Sequence, residues 1–302
     1  MGGELWADLK DRQDAVEAAL RLTLARYTSD APTALSAAMG YSLLAPGKRL
    51  RPLLALLACE ACGGTPEQAL PAACAVEMVH TYSLVHDDLP AMDDDDLRRG
   101  LPTCHKVYGE ALAILAGDAL LTLSFEVVAA GCPPRTAAVS CVELAAGGGA
   151  VGMVGGQVLD LAAEGRIESG GAVNTVEALE AIHRRKTGAL FRAALRLGVH
   201  AAQGESGADP AALAAADDYA AAFGLAFQVT DDLLDVESTA EKTGKRVNKD
   251  AARGKLTYPG LLGLAESRAR AAELVQDAEH AAARLGSAPL ARLARYVVQR
   301  DR

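Results

Sequence analysis

No stretch of this chain alternates apolar and polar residues over enough positions to build a strand. Apolar residues recur at three- and four-residue spacing instead, the period of a helix face. Half of the 302 residues are hydrophobic and only 4% are aromatic. Alanine and leucine dominate, a bias that favours helix over sheet. The chain is long enough to bury a substantial core. Nothing in it resembles an interdomain linker, and no internal repeat of fixed period is evident. The expectation is one all-α domain over residues 1–302.

Residues 4–28 read as an amphipathic helix with Leu9, Val16, Leu20 and Leu24 near one face. Pro52 suits the first turn of an apolar helix that runs to Cys62. Gly63 and Gly64 end it. Thr65 can cap the next helix, with Pro66 at its first position and Gln68 completing a capping box. Pro71 is expected to reset that start, and Pro90 to end or kink the helix. Residues 109–130 and 175–197 read as helices, Asp209-Pro210 opens another, and residues 238–259 read as a loop. The glycine-rich stretch 145–165 has no strand before it and no GxGxxG. It reads as close helix packing or as room for a ligand beside the backbone.

The formal net charge of -9 makes a general nucleic-acid or anionic-membrane binder a poor reading. The amino-terminal segment is polar, and no run of 18 uncharged apolar residues suggests a membrane span. A cytoplasmic protein that binds neither nucleic acid nor membrane is expected. The six cysteines read as free thiols buried in a reducing cytosol, because Cys59 and Cys62 lack the second pair of a zinc site.

Two acidic clusters stand out: "VHDDLPAMDDDDLRRG" (Val85 to Gly100) and "DDLLD" (Asp231 to Asp235). On a helix, Asp231 and Asp235 share a face with Gln228 and Gly224, which suits a cavity with a metal at its mouth better than a packed seam. His80 and Asp87 are two turns apart, and the break at Pro90 is expected to return Asp93 toward Asp87. Both clusters end apolar helices, where a carboxylate meets the negative end of the macrodipole. Magnesium compensates such a site: it takes a few carboxylate oxygens, keeps waters and bridges to phosphates. An EF-hand fails, since Met92 or Asp93 would stand where its glycine is needed. Four basic clusters accompany the acids: Lys48, Arg49 and Arg51; Arg98 and Arg99; Lys186 with Thr187; Lys245 with Lys255. Magnesium with lysines and arginines can hold a diphosphate while its negative charge grows.

The segments "GKRLRP", "HDDLPAMDDDDLRRG", "AGDALL", "GGQVLDL", "KTG", "FQVTDDLLD" and "GKLTYP" resemble, in order and spacing, those of the short-chain trans-polyprenyl diphosphate synthases. That resemblance implies a single-domain bundle of long helices around a deep central cavity, usually a homodimer. It implies magnesium ligands at Asp87, Asp88, Asp93, Asp231, Asp232 and Asp235, with three ions in the diphosphate complex and manganese as a substitute. Lys48, Arg51, His80 and Arg99 would hold isopentenyl diphosphate, and Arg49 is counted with the substrate-binding residues. Arg98, Lys186, Thr187, Lys245 and Lys255 would hold the allylic diphosphate, with Gln228 below the metals. Asp87, Asp93, Asp231 and Lys186 would be catalytic in an ionisation, condensation and elimination sequence. Tyr82 and Ser83 would set product length, and a large Tyr82 favours farnesyl over geranylgeranyl diphosphate. A class I terpene cyclase fits less well, because "DDLLD" lacks the Ser/Thr and Glu of its second metal motif. A regulatory subunit fits less well, because both aspartate motifs are intact. Asp94, Asp95 and Asp96 have no assigned role, and the end of the chain is expected to fray.

Overall fold

The computed structural model describes residues 2–168, 175–237 and 256–300. Helices run in the order α1 (Gly2–Tyr27), α2 (Thr33–Leu43), α3 (Leu50–Ala61), α4 (Pro66–Asp87), α5 (Cys104–Tyr108), α6 (Glu110–Gly131), α7 (Pro134–Gly148) and α8 (Met153–Ala163). They continue with α9 (Val176–His183), α10 (Ala189–Gln203), α11 (Pro210–Glu237), α12 (Tyr258–Leu262), α13 (Leu264–Arg284) and α14 (Ala288–Gln299). Among the described residues two segments depart from the α-helical period. Leu97–Arg98 (β1) and Leu101–Pro102 (β2) form a small antiparallel hairpin, and Arg184–Gly188 forms a π-helix between α9 and α10.

The chain packs as two compact units. The N-terminal unit comprises Asp8–Leu144 and Leu197–Gly207, and the C-terminal unit comprises Met1–Ala7, Ala145–Arg196 and Ala208–Arg302. In the N-terminal unit α4 packs against α3 and α6. Its Ala69, Ala72, Ala73, Ala75, Val76, Met78 and Val79 are all buried, so small side chains let the helices close on it. The expected capping box forms, with Thr65 N–H donating to Gln68 Oε1 at 2.8 Å. Pro71 does not reset the start; it lies inside α4. The helix is already under way from Pro66, and burial of Ala69, Ala72 and Ala73 outweighs the one missing N–H donor.

Buried charge ties this unit together. Arg49 begins α3 with a left-handed backbone (φ 52°) and is 2% exposed. Its guanidinium donates to Glu17 of α1 at 2.6 Å, to Glu77 of α4 at 2.9 Å and to the Ala45 carbonyl at 2.8 Å. Burial opposes its charge, but Glu77 and Glu17 more than offset that and hold its pKa above the usual value.

In the C-terminal unit α11 packs along α13, and α14 packs on both. The Tyr219 hydroxyl of α11 donates to the Leu290 carbonyl of α14 at 2.9 Å. The π-helix packs against α8, α9 and α11. All six cysteines are free thiols, with Cys59, Cys74 and Cys104 buried. By length and composition two stretches, Glu110–Gly131 and Pro134–Ala163, are apolar enough to cross a membrane, and 44% and 39% of their most apolar windows are buried inside the protein. The expectation of no such stretch counted only uncharged runs. Core helices of soluble proteins pass the same test.

Candidate active site

The first acidic motif follows the end of α4. The Asp93 N–H donates to the Asp87 carbonyl at 2.7 Å, so the chain turns back after Pro90 as expected. Asp87 and Asp93 are half-buried, whereas Asp88 is 3% exposed. Arg98 donates from Nε and Nη2 to Asp88 Oδ1, at 2.6 and 2.5 Å. Burial works against the Arg98 charge, but Asp88 outweighs it and keeps the guanidinium ionised.

The three aspartates without a role have structural ones. Asp94 takes a left-handed backbone (φ 49°) and its N–H donates to the Leu89 carbonyl at 3.1 Å. The Asp95 carbonyl accepts from Thr103 Oγ1 at 2.8 Å, and Asp96 pairs with Lys106 at 2.8 Å. Arg98 and Arg99 stand on the hairpin, where Arg99 (φ 54°) and Gly100 (φ 79°) make the turn. Two successive positive φ values are those of a type I′ turn, which matches strand twist. Among the described residues Arg49, Asp94 and Arg99 are the non-glycines with positive φ. All three lie in the charged motifs, where such backbone strain tends to gather.

The Arg99 guanidinium end lies against Gly47 of "GKRLRP" and donates to the Pro46 carbonyl at 3.1 Å. Arg51 and Arg99 bear on each other and on His80. Burial pushes the Arg51 pKa down to about 10, with Arg99 adding to the effect against the pull of Glu77. It remains a cation at neutral pH. His80 is held well below the usual imidazole range by burial, then by Arg51, Arg99, Arg98 and Arg49, so its ring is neutral. Arg51, His80 and Arg99 belong to one local cationic region, and Lys48 adjoins it in sequence. Arg49, expected beside them, points inward to its glutamates.

The second motif closes α11. Asp231 and Asp235 are partly exposed, and Asp232 is 6% exposed. Asp232 Oδ2 accepts from the Tyr258 N–H of α12 at 2.9 Å. Asp231 Oδ1 accepts from Arg300 at 2.5 Å. Arg300 also donates to the Phe227 carbonyl at 2.9 Å and lies 3.8 Å from the Phe227 ring centroid, a cation–π distance. The expected fraying therefore does not reach Arg300, because two acceptors and a ring hold it. Lower on the same face, Gln228 Oε1 accepts from Thr187 Oγ1 at 2.8 Å. Gly224 lies against Gly188 of the π-helix, so that end of the face is a packed seam rather than cavity wall. Lys186 donates to Asp160 at 2.5 Å. Lys245 and Lys255 lie outside the described residues.

Residues 32–288 match the polyprenyl synthetase family. The chain belongs to that family. It is 45% identical to a farnesyl diphosphate synthase of Geobacillus stearothermophilus over 299 residues, with 97% of each chain covered. It is 49% identical to a chloroplastic geranylgeranyl pyrophosphate synthase of Arabidopsis thaliana, over 89% of this chain and 75% of the other. Among solved structures, an apo FPP/GFPP synthase from Zymomonas mobilis superposes with a TM-score of 0.82 at 34% identity, covering 99% of this chain and 100% of that one. The fold is therefore the all-α isoprenoid synthase fold, and the protein is a prenyltransferase.

Members of this family are generally magnesium-dependent. Among the described residues no three His, Cys, Asp or Glu side chains converge on a metal-holding position. The donor chemistry nevertheless suits magnesium. Asp87 and Asp93 offer carboxylate oxygens from one turn of chain, and this ion keeps waters and shares phosphate oxygens rather than needing a full protein cage. Sequence reasoning gave no role to Asp160 or Gln157, although both lie in the quoted "GGQVLDL". Nothing local in that segment reveals that Asp160 meets Lys186, 26 residues away.

Proposed function

We propose that this polyprenyl synthetase condenses isopentenyl diphosphate head to tail with dimethylallyl and geranyl diphosphates to give mainly farnesyl diphosphate. Tyr82 carries the choice of product. It is 7% exposed, five residues before Asp87, and its ring meets His86 edge-on at 5.7 Å. A bulky ring fixed there limits chain growth, with Ser83 beside it. The Ser83 hydroxyl donates to the His80 carbonyl at 2.8 Å.

Asp87, Asp93, Asp231 and Asp235 would hold magnesium, as three ions once diphosphate is bound, and manganese could substitute. Bound there, the metal would supply positive charge for the departing allylic diphosphate. The bonds made by Asp88 and Asp232 support a bracing role for those two carboxylates. Lys48, Arg51, His80 and Arg99 hold the diphosphate of isopentenyl diphosphate, the neutral His80 as a hydrogen-bonding group and the others as cations. Arg98, Lys186, Thr187, Lys245 and Lys255 hold the allylic diphosphate, and Gln228 orients Thr187. Arg49 serves the fold.

Ionisation comes first. The carbon–oxygen bond to the allylic diphosphate breaks and the oxygen keeps the electron pair, while preplaced cations meet the growing negative charge. The isopentenyl double bond attacks the allylic cation, and the adduct loses a proton to the released diphosphate. The allylic cation requires apolar surroundings that keep water away. We place the enzyme in the cytoplasm as a homodimer formed from one catalytic domain per chain. The exposed Ile114 (43%) and Leu115 (55%) of α6 support pairing.

Incubation with dimethylallyl and isopentenyl diphosphates, followed by chromatography of the dephosphorylated products, tests this reading. Farnesol as main product supports it, geranylgeraniol corrects the chain length, and no elongation refutes the function. Tyr82→Ala should shift the main product to longer chains under excess isopentenyl diphosphate. An unchanged product would remove Tyr82 as the determinant.

A further inference from the structure

Lys186 is held from the side. Its ammonium meets Asp160 Oδ2 of α8 at 2.5 Å, and Asp160 is 7% exposed. A carboxylate that deep needs a partner, and the lysine provides it. Four residues before Asp160, on the same face of α8, stands Gly156. A Cβ there would lie 2.2 Å from the Lys186 backbone nitrogen and 2.6 Å from its Cα. The α8 and π-helix backbones thus touch at the same residue whose ammonium Asp160 grips. Both ends of Lys186, backbone and ammonium, are referenced to one helix. Between those contacts, Gln157 keeps both side-chain polar atoms buried with no protein partner. The stretch carrying Lys186 is itself a π-helix, whose wider turn re-aims side chains and recurs at functional sites.

We propose that Asp160 is a positioning residue for the prenyl transfer: it fixes the Lys186 ammonium for the allylic diphosphate without touching substrate. The proposal rests on the reading of Lys186 as an allylic diphosphate grip. A free lysine carries its charge on a flexible four-carbon stem and loses that freedom when it binds. Held by Asp160, it has lost the freedom beforehand. One ammonium donor goes to the carboxylate and two remain for phosphate oxygens. A charge fixed in advance stabilises a departing anion without reorganising at the moment of ionisation. Gly156 allows the close approach that makes the grip possible.

A double-mutant cycle tests it, with each substrate varied in turn and folding followed by circular dichroism and thermal unfolding. Asp160→Asn should raise the allylic KM and lower kcat, together by about tenfold to a hundredfold, and leave the isopentenyl KM within about twofold. Lys186→Gln should do at least as much, and the double variant no more than Lys186→Gln alone. Asp160→Glu should recover part of the loss. Wild-type kinetics in Asp160→Asn beside an impaired Lys186→Gln would overturn the role of Asp160 alone. So would a double variant whose loss is the product of the two single losses. An unaltered allylic KM and kcat in Lys186→Gln would overturn the grip itself and the proposal with it. Should Asp160→Asn fail to fold, Asp160→Glu decides: a selective allylic defect supports the proposal, and wild-type kinetics overturn it.

Discussion

In the N-terminal unit Asp87 is half-buried and Asp88 is 3% exposed; in the C-terminal unit Asp231 is half-buried and Asp232 is 6% exposed. Each doublet keeps its first carboxylate toward solvent and bonds its second inside, Asp88 to Arg98 and Asp232 to the Tyr258 N–H. The arginines differ. Arg98 sits on the buried carboxylate of its own motif, ten residues away. Arg300 sits on the more exposed carboxylate, Asp231, from 69 residues away. The first motif therefore carries its counter-ion locally and needs it to hold its loop. The second is braced by a backbone amide, and Arg300 supplies a cation to its outer face.

The largest stability loss is expected from Arg49→Met, which leaves Glu77 charged and buried; about 3–5 kcal/mol is typical of a broken buried pair. Denaturant unfolding measures it, and a loss below 1 kcal/mol would mean that Glu77 finds another partner. Arg98→Gln should follow at about 1.5–3 kcal/mol, because the Asp88 left behind is 4% exposed at its side chain. Arg300→Gln should cost less, about 1 kcal/mol or under, because the Asp231 side chain is 45% exposed and water replaces the lost contact. Equal losses in the two arginine variants would remove the distinction between the motifs.

The smallest effect is in pH. His80 has a folded pKa well below its unfolded value of about 6.5, so the unfolded chain takes up its proton first on acidification. Its contribution to stability is complete above that value and is lost as pH falls toward the folded pKa. Melting at pH 7.5 and 5.5 should show a drop that His80→Gln reduces. An identical drop in the variant would place the loss on other groups.

The fold class was legible because helical period and alanine content act locally. The capping box from Thr65 to Gln68 was legible for the same reason. Pro71 was misread because local propensity favours a break while tertiary burial of α4 does not. The hairpin at Arg98 and Arg99 went unread because strands of two residues have no alternation to detect. The π-helix at Arg184–Gly188 leaves no periodic trace in five residues. In the candidate site, the sequence shows the aspartates and cations only as candidate residue types. The division between Asp87 and Asp88, or between Asp231 and Asp232, was not legible there. It depends on burial and on partners such as Tyr258 and Arg300, far along the chain.

The most direct test compares four variants, Asp87→Ala, Asp88→Ala, Asp231→Ala and Asp232→Ala, by kcat and by thermal midpoint. Asp87→Ala and Asp231→Ala should lose turnover by orders of magnitude, about a thousandfold, while their midpoints stay near wild type. Asp88→Ala and Asp232→Ala should lose about 1–3 kcal/mol of stability and keep more of their turnover than the other pair. Full stability with abolished turnover in Asp88→Ala and Asp232→Ala, beside near-normal rates in Asp87→Ala and Asp231→Ala, would contradict this division of roles.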